Sequence, residues 1–301
     1  MERAIVKSYE NSVKCAIVVT YNHIPDLETL KIISRSVQFL LIIDNNSNQE
    51  VLSTIRSFSN SIDNVHLIEN KTNLGISKAY NLAKEKAMKL NGEILIFFDH
   101  DVILNESLVL EYKLAWDYFV KKDKNLGIIV PIVTDDKRLL GKPMFTNEKY
   151  SIILSPINSG ILTSLDVYNL VGGYEPDIFV ELADYYFAYK VRNAGKNIYR
   201  INRALIIQEF EVKLKNRGLL SQLADYAIRL RSVIRLGLNN SNIYRTTLSV
   251  YNTRRSEELK NSLNNLEKKH PDIRQVLRTI RMLNALESLV IYIINKLEAH
   301  N

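Results

Sequence analysis

The stretch NGEILIFFDHD, residues 91–101, indicates the fold most directly, because a turn, a buried strand and a charged cluster follow one another in it. The Asn-Gly pair at 91–92 is a turn signal. Residues 94–98 form an uninterrupted apolar run of the length typical of a strand that is buried on both faces. The Asp-His-Asp triplet at 99–101 follows without a break. Two carboxylates at the end of a buried strand predict a binding site at that edge of a sheet.

The sequence before this stretch alternates between short apolar runs and amphipathic segments. It predicts strands at 14–20, 39–44 and 65–69 and helices at 27–35, 51–58 and 76–90. Repeated strand–helix–strand units are typical of a parallel sheet with right-handed crossovers, so the predicted fold class is α/β. The carboxyl ends of such strands meet at one edge of the sheet, where ligands bind.

Polar residues follow each predicted strand, and we expect them to line one crevice. Neither the glycine-rich dinucleotide fingerprint nor the P-loop occurs in the chain, so a phosphate group would need another partner. The two carboxylates of the D-x-D motif, Asp99 and Asp101, suit Mg²⁺ or Mn²⁺, which would neutralise a diphosphate.

Composition limits the class of protein. The 301 residues are 46% hydrophobic with 10 glycines and 6 prolines, which is typical of a folded globular protein. The single cysteine, Cys15, excludes an internal disulfide and favours a reducing compartment. Residues 1–11 contain no secretory signal, and the apolar run at 289–294 is shorter than the roughly 20 residues of a membrane span. We therefore expect a cytoplasmic protein, in contact with the membrane at most peripherally.

Positive charge is concentrated in one part of the chain. The net charge is +7, and residues 190–235 carry eleven Lys or Arg against three acidic residues, a local net charge of +8. An anionic partner, such as phosphate or an acidic membrane surface, and a solvated helix face both fit this stretch. Nucleic acid is not expected, because the stretch lacks the interleaved aromatic residues of a single-strand platform.

Six motifs, in order between residues 14 and 210, resemble the family 2 glycosyltransferases and, within them, the bacterial rhamnosyltransferase-like branch. They are VVTYN (18–22), IIDNNS (42–47), NLGISKAYN (73–81), FFDHD (97–101), NSGILTSLDVYNLVGGYEPDIF (158–179) and ADYYFAYKVRNAGKNI (183–198). The resemblance implies a GT-A fold, with a Rossmann-like nucleotide-binding half, a mixed, mainly parallel sheet and an acceptor-binding half. We expect a catalytic domain at 1–235, divided into a nucleotide-sugar half at 12–104 and an acceptor half at 105–235, and a helical C-terminal extension at 236–301.

For the first half, the resemblance implies a nucleotide-sugar site. Its expected members are Thr20, Tyr21, Asn22, Asp44, Asn45, Asn73, Gly75 and Asp99. Asp44 would hydrogen-bond the base, and Gly75 would permit close approach of the backbone at the start of a helix. Asp99 and Asp101 would hold the metal. A turn with local Asx hydrogen bonds is the alternative interpretation of Asp44 and Asn45.

For the second half, the resemblance implies an inverting reaction in which a carboxylate accepts the proton of the acceptor hydroxyl. Asp184 stands at the matching position, just before a helix predicted at 185–193; an N-cap without chemistry is the alternative interpretation. Ser159 and Gly160 would lie beside the donor sugar.

Three further positions complete the expected site. Glu181 and Arg192 would lie on the acceptor side. The family's metal-binding His is absent, and Gln208 or Glu209 stands near its position. His100 is given a minor role, because alternation along an extended chain directs it away from Asp99 and Asp101.

The C-terminal extension differs in character. It is predicted to begin with a linker at 236–242, and residues 273–297 form a helical pattern with a wide apolar stripe. Two interpretations stay open: packing on the catalytic domain or on a second subunit in a homodimer, and contact with a membrane surface.

The expected function is metal-dependent, inverting transfer of rhamnose or another hexose from a UDP- or dTDP-sugar. The acceptor would be a glycan or a lipid-linked glycan in bacterial surface polysaccharide synthesis. A catalytically silent relative that acts as a binding module is the alternative. Phosphotransfer with Asp99 as nucleophile is disfavoured, because Ile103 stands where that class has Thr or Val and three predicted strands precede the motif.

Overall fold

A single mixed sheet organises the protein in the computed structural model, which describes residues 7–134, 148–153, 156–180 and 183–208. The strands in these ranges are β1 (Lys14–Thr20), β2 (Phe39–Asp44), β3 (Val65–Glu69), β4 (Ile94–Asp99), β5 (Val102–Ile103), β6 (Leu126–Thr134), β7 (Tyr150–Ile152), β8 (Ile161–Ser164) and β9 (Asn197–Gln208). The helices are α1 (Leu27–Ser36), α2 (Gln49–Asn60), α3 (Gly75–Lys89), α4 (Glu106–Lys122), α5 (Leu165–Leu170) and α6 (Ala183–Asn193). All of these elements belong to one unit of the chain.

Strands β1 to β4 run parallel to one another and lie in the order β3-β2-β1-β4. Every residue of β1 is buried, as an uninterrupted apolar run predicts for a strand covered on both faces. Thr20 of β1 pairs with Asp44 of β2, and Val19 pairs with Asp99 of β4. The polar ends of these three strands therefore lie side by side at one edge, and the predicted α/β class is confirmed.

The second half of the chain adds strands to the same sheet. Strand β8 is antiparallel to both β4 and β6, and Ile161 pairs with Phe97. Strand β9 runs parallel to β6, and its last residue, Gln208, pairs with Val102 of β5. The beginning of β8 and the end of β9 are thereby brought to the carboxyl end of β4.

The helices cover the sheet with apolar faces. Helix α3 presents Ala79, Ala83 and Ala87, all fully buried, and these small side chains let the helix approach the sheet closely. Among the helices that the structure describes, none combines the length and the apolar character needed to cross a bilayer.

Two differences from the sequence predictions affect the site. Helix α6 begins at Ala183, two residues earlier than predicted, so Asp184 lies in its first turn and not before it. The predictions for the extension at 236–301, and for the basic stretch beyond residue 208, fall outside the described residues.

Candidate active site

The ends of β1 and β2 form a base-side cluster, which we define as Asn22, Asp44, Asn45 and Ser47. Asp44 is only 1% exposed, and its Oδ2 accepts a hydrogen bond from the Ser47 N–H at 2.9 Å. Its Oδ1 is also buried, and no protein group donates to it. Because a buried carboxylate oxygen without a donor is costly, this atom suits an N–H group of a ligand.

The chain after β1 is tied to β2. Asn22 adopts a positive φ of 48°, and its N–H donates to Ser47 Oγ at 2.9 Å. The Thr20 hydroxyl is fully buried and donates to the His23 carbonyl at 2.7 Å, so it stabilises the turn. Tyr21 is 45% exposed at the same edge. Of the three residues predicted to lie at the nucleoside, Tyr21 and Asn22 are therefore exposed and Thr20 is buried.

Amide side chains connect β2 to the segment before α3. Asn45 Nδ2 donates to the Gly75 carbonyl at 3.3 Å, and Asn70 Nδ2 donates to Asn45 Oδ1 at 2.9 Å. Asn73 Oδ1 accepts from the Gly75 N–H at 2.9 Å. Asp44 and Asn73 thus make local Asx hydrogen bonds, whereas the side-chain partners of Asn45 lie 25 and 30 residues away and connect the end of β2 to the start of α3.

Gly75 permits a close approach, as expected, but the approaching group is another part of the chain. The Ile76 N–H donates to the Phe179 carbonyl at 2.6 Å, and a Cβ at Gly75 would lie 2.6 Å from Phe179 Cδ2. Phe179, from the second half of the chain, therefore packs directly against the first turn of α3.

The end of β4 carries a second group, which we call the carboxylate cluster: Asp99, Asp101, Ser159 and Gln208. Gln208 Nε2 donates to Asp101 Oδ1 at 2.9 Å and to Asp99 Oδ2 at 3.2 Å. The Ser159 hydroxyl lies 2.6 Å from Asp99 Oδ2 and 2.7 Å from Gln208 Oε1. One neutral amide and one hydroxyl therefore link the two carboxylates of the D-x-D motif.

A buried tyrosine supports this cluster from α3. The Tyr80 hydroxyl donates to Asp99 Oδ1 at 3.2 Å. Burial raises the pKa of Tyr80 well above its usual value, and the negative charge of Asp99 raises it further. Tyr80 consequently stays protonated and remains a donor. The His100 ring stacks on the His23 ring instead, with centroids 4.5 Å apart.

Asp184 lies in the first turn of α6, half-buried, and its Oδ1 accepts from the Tyr185 N–H at 2.8 Å. The pKa of Tyr174 is raised well above its usual value, first by complete burial and then by nearby negative charges that include those of Asp184 and Asp99. The charges of both carboxylates therefore act on one buried phenol, whose hydroxyl donates to Asn158 Oδ1 at 2.8 Å.

Two of the remaining predicted residues are described: Gly160, which directly follows Ser159 of the carboxylate cluster, and Arg192. Gly160 is enclosed, because a Cβ there would lie 2.7 Å from the side chains of Pro131 and Ile206. Arg192 is exposed in the last turn of α6, eight residues or about 12 Å along the helix from Asp184. Glu181 and Glu209 fall outside the described residues.

Sequence reasoning missed Asn81, which links the halves of the chain. Its Oδ1 accepts from the Tyr168 hydroxyl at 2.6 Å and from the Tyr174 N–H at 3.1 Å, and its Nδ2 donates to the Tyr174 carbonyl at 2.8 Å. An asparagine in the interior of a helix is unfavourable by propensity. This low helix propensity is the feature of the sequence that could have indicated tertiary partners for Asn81.

The carboxylate cluster offers oxygen atoms to a cation but only two acidic side chains. Within the described ranges, no group of three or more His, Cys, Asp or Glu side chains is arranged to hold a metal ion. The third polar group is the Gln208 amide, at the position where the sequence predicted Gln208 or Glu209.

Comparisons with known proteins agree with this architecture. Residues 15–137 match the family Glycosyl transferase family 2. The dTDP-rhamnosyl transferase RfbF of Shigella flexneri is 26% identical over 200 residues, which cover 62% of this chain and 65% of that protein. The match thus spans just under two thirds of the relative's length.

Solved structures with the same fold are glycosyltransferases. The mannosyltransferase PcManGT from Pyrobaculum calidifontis, in complex with GDP-Man and Mn²⁺, has a TM-score of 0.57 at 17% identity, covering 96% of this chain and 90% of that one. GalNAc-T7 with UDP, GalNAc and Mn²⁺ has a TM-score of 0.55 at 15% identity, covering 68% and 45%. S. aureus TarS 1-349 has a TM-score of 0.50 at 16% identity, covering 84% and 79%.

At these identities the solved structures establish the fold. The chain has a GT-A fold, its residues 15–137 match the family Glycosyl transferase family 2, and over 200 residues it is similar to a rhamnosyltransferase.

Proposed function

We propose that the protein transfers a sugar, rhamnose or another hexose, from a dTDP- or UDP-sugar to a glycan or lipid-linked acceptor in bacterial surface polysaccharide synthesis. It acts in the cytoplasm, at the inner face of the membrane where such acceptors lie. The observation that carries the proposal is the carboxylate cluster at the end of β4, beside the unpartnered buried Oδ1 of Asp44. The name of the S. flexneri relative makes a dTDP-sugar the first donor to test.

The base-side cluster supports a pyrimidine nucleotide. Thymine and uracil both present an imide N–H, and Asp44 Oδ1 is a buried acceptor that such a donor would satisfy. The backbone around Asp44 is held by the Asn45 N–H, which donates to the Thr20 carbonyl at 2.8 Å. Recognition of the base therefore needs little rearrangement of the chain.

The carboxylate cluster fits a hard divalent cation, Mn²⁺ or Mg²⁺, because both prefer oxygen ligands. Asp99 and Asp101 supply carboxylate oxygens, and a 180° rotation of the Gln208 amide would present its oxygen to a cation held by both of them. GalNAc-T7 and PcManGT were solved with Mn²⁺. A bound cation would neutralise the charge of the departing diphosphate.

Asp184 is the proposed base. As the acceptor hydroxyl attacks the anomeric carbon, its proton passes to the Asp184 carboxylate while the bond from that carbon to the diphosphate oxygen breaks. A single displacement of this kind inverts the configuration of the sugar. The half-buried position of Asp184, near the phenol that also lies near Asp99, supports this role.

Donor binding and hydrolysis test the proposal. UDP- and dTDP-sugars are titrated with and without Mn²⁺ or Mg²⁺ against the wild type, Asp101→Ala and the control Asp63→Ala, which changes an exposed carboxylate before β3. We expect metal-dependent binding of one donor, lost only in Asp101→Ala. Asp184→Asn should keep this affinity and slow turnover by roughly 10²- to 10⁴-fold. If no donor binds with either metal, the proposal is wrong and the chain is a silent relative.

A further inference from the structure

We propose that Gly75 is a positioning residue that fixes the base Asp184 relative to the nucleotide half, through a backbone contact with Phe179. The inference rests on the proposed function, since it takes Asp184 as the base. The contact joins α3 to residues 173–180, which we call the docking segment and which precede α6.

The docking segment is attached to α3 at its beginning. The Tyr174 N–H donates to Asn81 Oδ1 at 3.1 Å, and the Tyr174 carbonyl accepts from Asn81 Nδ2 at 2.8 Å. Tyr174 itself is completely buried and packs against the rings of Tyr80 and Phe187. This end of the segment is therefore held by packing as well as by hydrogen bonds.

The other end is held differently. Phe179 and Val180 are apolar, yet they are 54% and 52% exposed, so burial of their side chains contributes little to fixing them. The Phe179 carbonyl accepts the Ile76 N–H at 2.6 Å, in the first turn of α3. Together with the buried side chain of Ile178, this backbone hydrogen bond fixes the end of the segment nearest to α6.

Only glycine at position 75 leaves room for that contact. A Cβ at Gly75 would overlap the Phe179 carbonyl oxygen and lie 2.6 Å from Phe179 Cδ2 and 3.0 Å from the Phe179 carbonyl carbon. Two of these three atoms are backbone, so a rotation of the Phe179 side chain cannot relieve the overlap. Gly75 also has a φ of 78°, which glycine adopts without steric cost.

The contact lies close to the base along the chain. The Ala183 N–H donates to the Val180 carbonyl at 3.4 Å, so the last residue of the docking segment is hydrogen-bonded to the first residue of α6, whose second residue is Asp184. A displacement of Phe179 is therefore transmitted to the first turn of α6. Asp101 and most of the base-side cluster lie on other elements, and the hydrogen bond from Asn45 to position 75 uses the backbone carbonyl, which an added Cβ does not remove.

Gly75→Ala should for this reason separate turnover from donor binding. A misplacement of about 1 Å costs up to roughly 10²-fold in rate, and we expect kcat to fall 10- to 100-fold. The Kd of the donor with Mn²⁺ should remain within about twofold, because its ligands are unchanged. A purely structural role would lower the fraction of folded enzyme, and with it the number of donor sites per protein, so kcat is calculated per titrated donor site.

The matched control is Gly195→Ala. Gly195 follows α6, has a φ of 72°, and a Cβ there would meet nothing within 4 Å. Both variants therefore carry the cost of a positive φ, and only Gly75→Ala carries the overlap. We expect Gly195→Ala to keep the wild-type kcat.

Amide hydrogen exchange tests the contact without any substrate. The Ile76 amide should exchange slowly in the wild type and in Gly195→Ala, and faster in Gly75→Ala. If the Ile76 amide and kcat are both unchanged in Gly75→Ala, or if kcat and donor affinity fall together, the inference is wrong. If the wild type binds no donor, the proposed function fails, and the exchange result alone decides whether Gly75 fixes the docking segment.

A second variant covers failure of Gly75→Ala to fold, which circular dichroism would reveal. Ile76→Pro removes the N–H donor without adding a Cβ at position 75, and proline is tolerated in the first turn of a helix. Lower kcat with unchanged donor affinity in Ile76→Pro supports the inference. Unchanged kcat in that variant overturns it.

Discussion

Asp99 is held by three side chains that come from three separate parts of the fold. Tyr80 donates from α3, Ser159 lies just before β8, and Gln208 ends β9. A carboxylate with several donors keeps one orientation, which a metal or phosphate site needs. Gln208 has the further role of a neutral group that donates to both Asp99 and Asp101, and so separates two negative charges.

Replacing Gln208 by glutamate tests this role at the residue scale. Gln208→Glu puts a third carboxylate beside two others, so without metal we expect repulsion and a loss of about 1–3 kcal/mol in the free energy of unfolding. Mn²⁺ should restore the stability, because a cation neutralises the cluster. Thermal unfolding with and without Mn²⁺ measures both effects.

The control for this experiment is Gln49→Glu, an exposed position in the first turn of α2 where a negative charge is tolerated. It should show no dependence on Mn²⁺. Equal melting temperatures of Gln208→Glu with and without the metal would contradict a cation site at the carboxylate cluster.

At the scale of elements, α3 is the helix that joins the two halves of the fold. Its alanine face packs on the parallel strands, while Ile76, Tyr80 and Asn81 reach the second half or the carboxylate cluster. The spacing of 76 and 80 puts both on one side of the helix. A helix with two packed faces explains why its sequence is less clearly amphipathic than those of α1 and α2.

Two adjacent glycines after α5 allow a prediction at this scale. Gly172 and Gly173 have φ values of 73° and 67°, so alanine at either position costs about 1 kcal/mol or slightly more. A Cβ at Gly172 would meet nothing within 4 Å, whereas one at Gly173 would lie 2.6 Å from Asn81 Oδ1 and 2.6 Å from Tyr168 Cε1. Gly173→Ala should therefore be clearly less stable than Gly172→Ala.

Urea unfolding of the two variants measures this difference, and each serves as the reference for the other. Equal stability would mean that the contact between α3 and the docking segment adapts to an extra methyl group. In that case the positive φ alone would account for both glycines.

At the scale of the whole molecule, one sheet contains strands from both halves, so we expect them to unfold together. Asn81 makes three hydrogen bonds across the junction, to Tyr168 and to both backbone groups of Tyr174. Asn81→Ala leaves buried partners unsatisfied and should cost about 2–4 kcal/mol in the free energy of unfolding.

The single tryptophan gives a local probe for this prediction. Trp116 is buried on α4, so its fluorescence reports the core, while circular dichroism reports the helices and the sheet. In urea, both signals should shift together in Asn81→Ala. Transitions that separate would contradict cooperative unfolding of the two halves.

Much of the site was predictable because it follows from local patterns. Asp44 and Asp99 end apolar runs, and parallel strands must bring such ends to one edge. The register of β1 with β2 and β4 bears out that expectation. Helix ends were less predictable: α6 starts at Ala183, two residues before the predicted start, and its first N–H is hydrogen-bonded to Val180 of the docking segment.

The sequence by itself determined the alternation of strands and helices, the polar strand ends and the resemblance to the family 2 glycosyltransferases, since these depend on periodicity and on motifs of neighbouring residues. The resemblance also implied that Gln208 or Glu209 lies near the metal site, but tertiary structure decided the contacts: Gln208 reaches Asp99 from 109 residues away, Ser159 reaches it from 60, and Phe179 fills the space beside Gly75. The physical reason is the insertion of β8 antiparallel to β4 and the pairing of β9 with β5. Such pairings between distant strands leave no periodic pattern in the sequence near either partner.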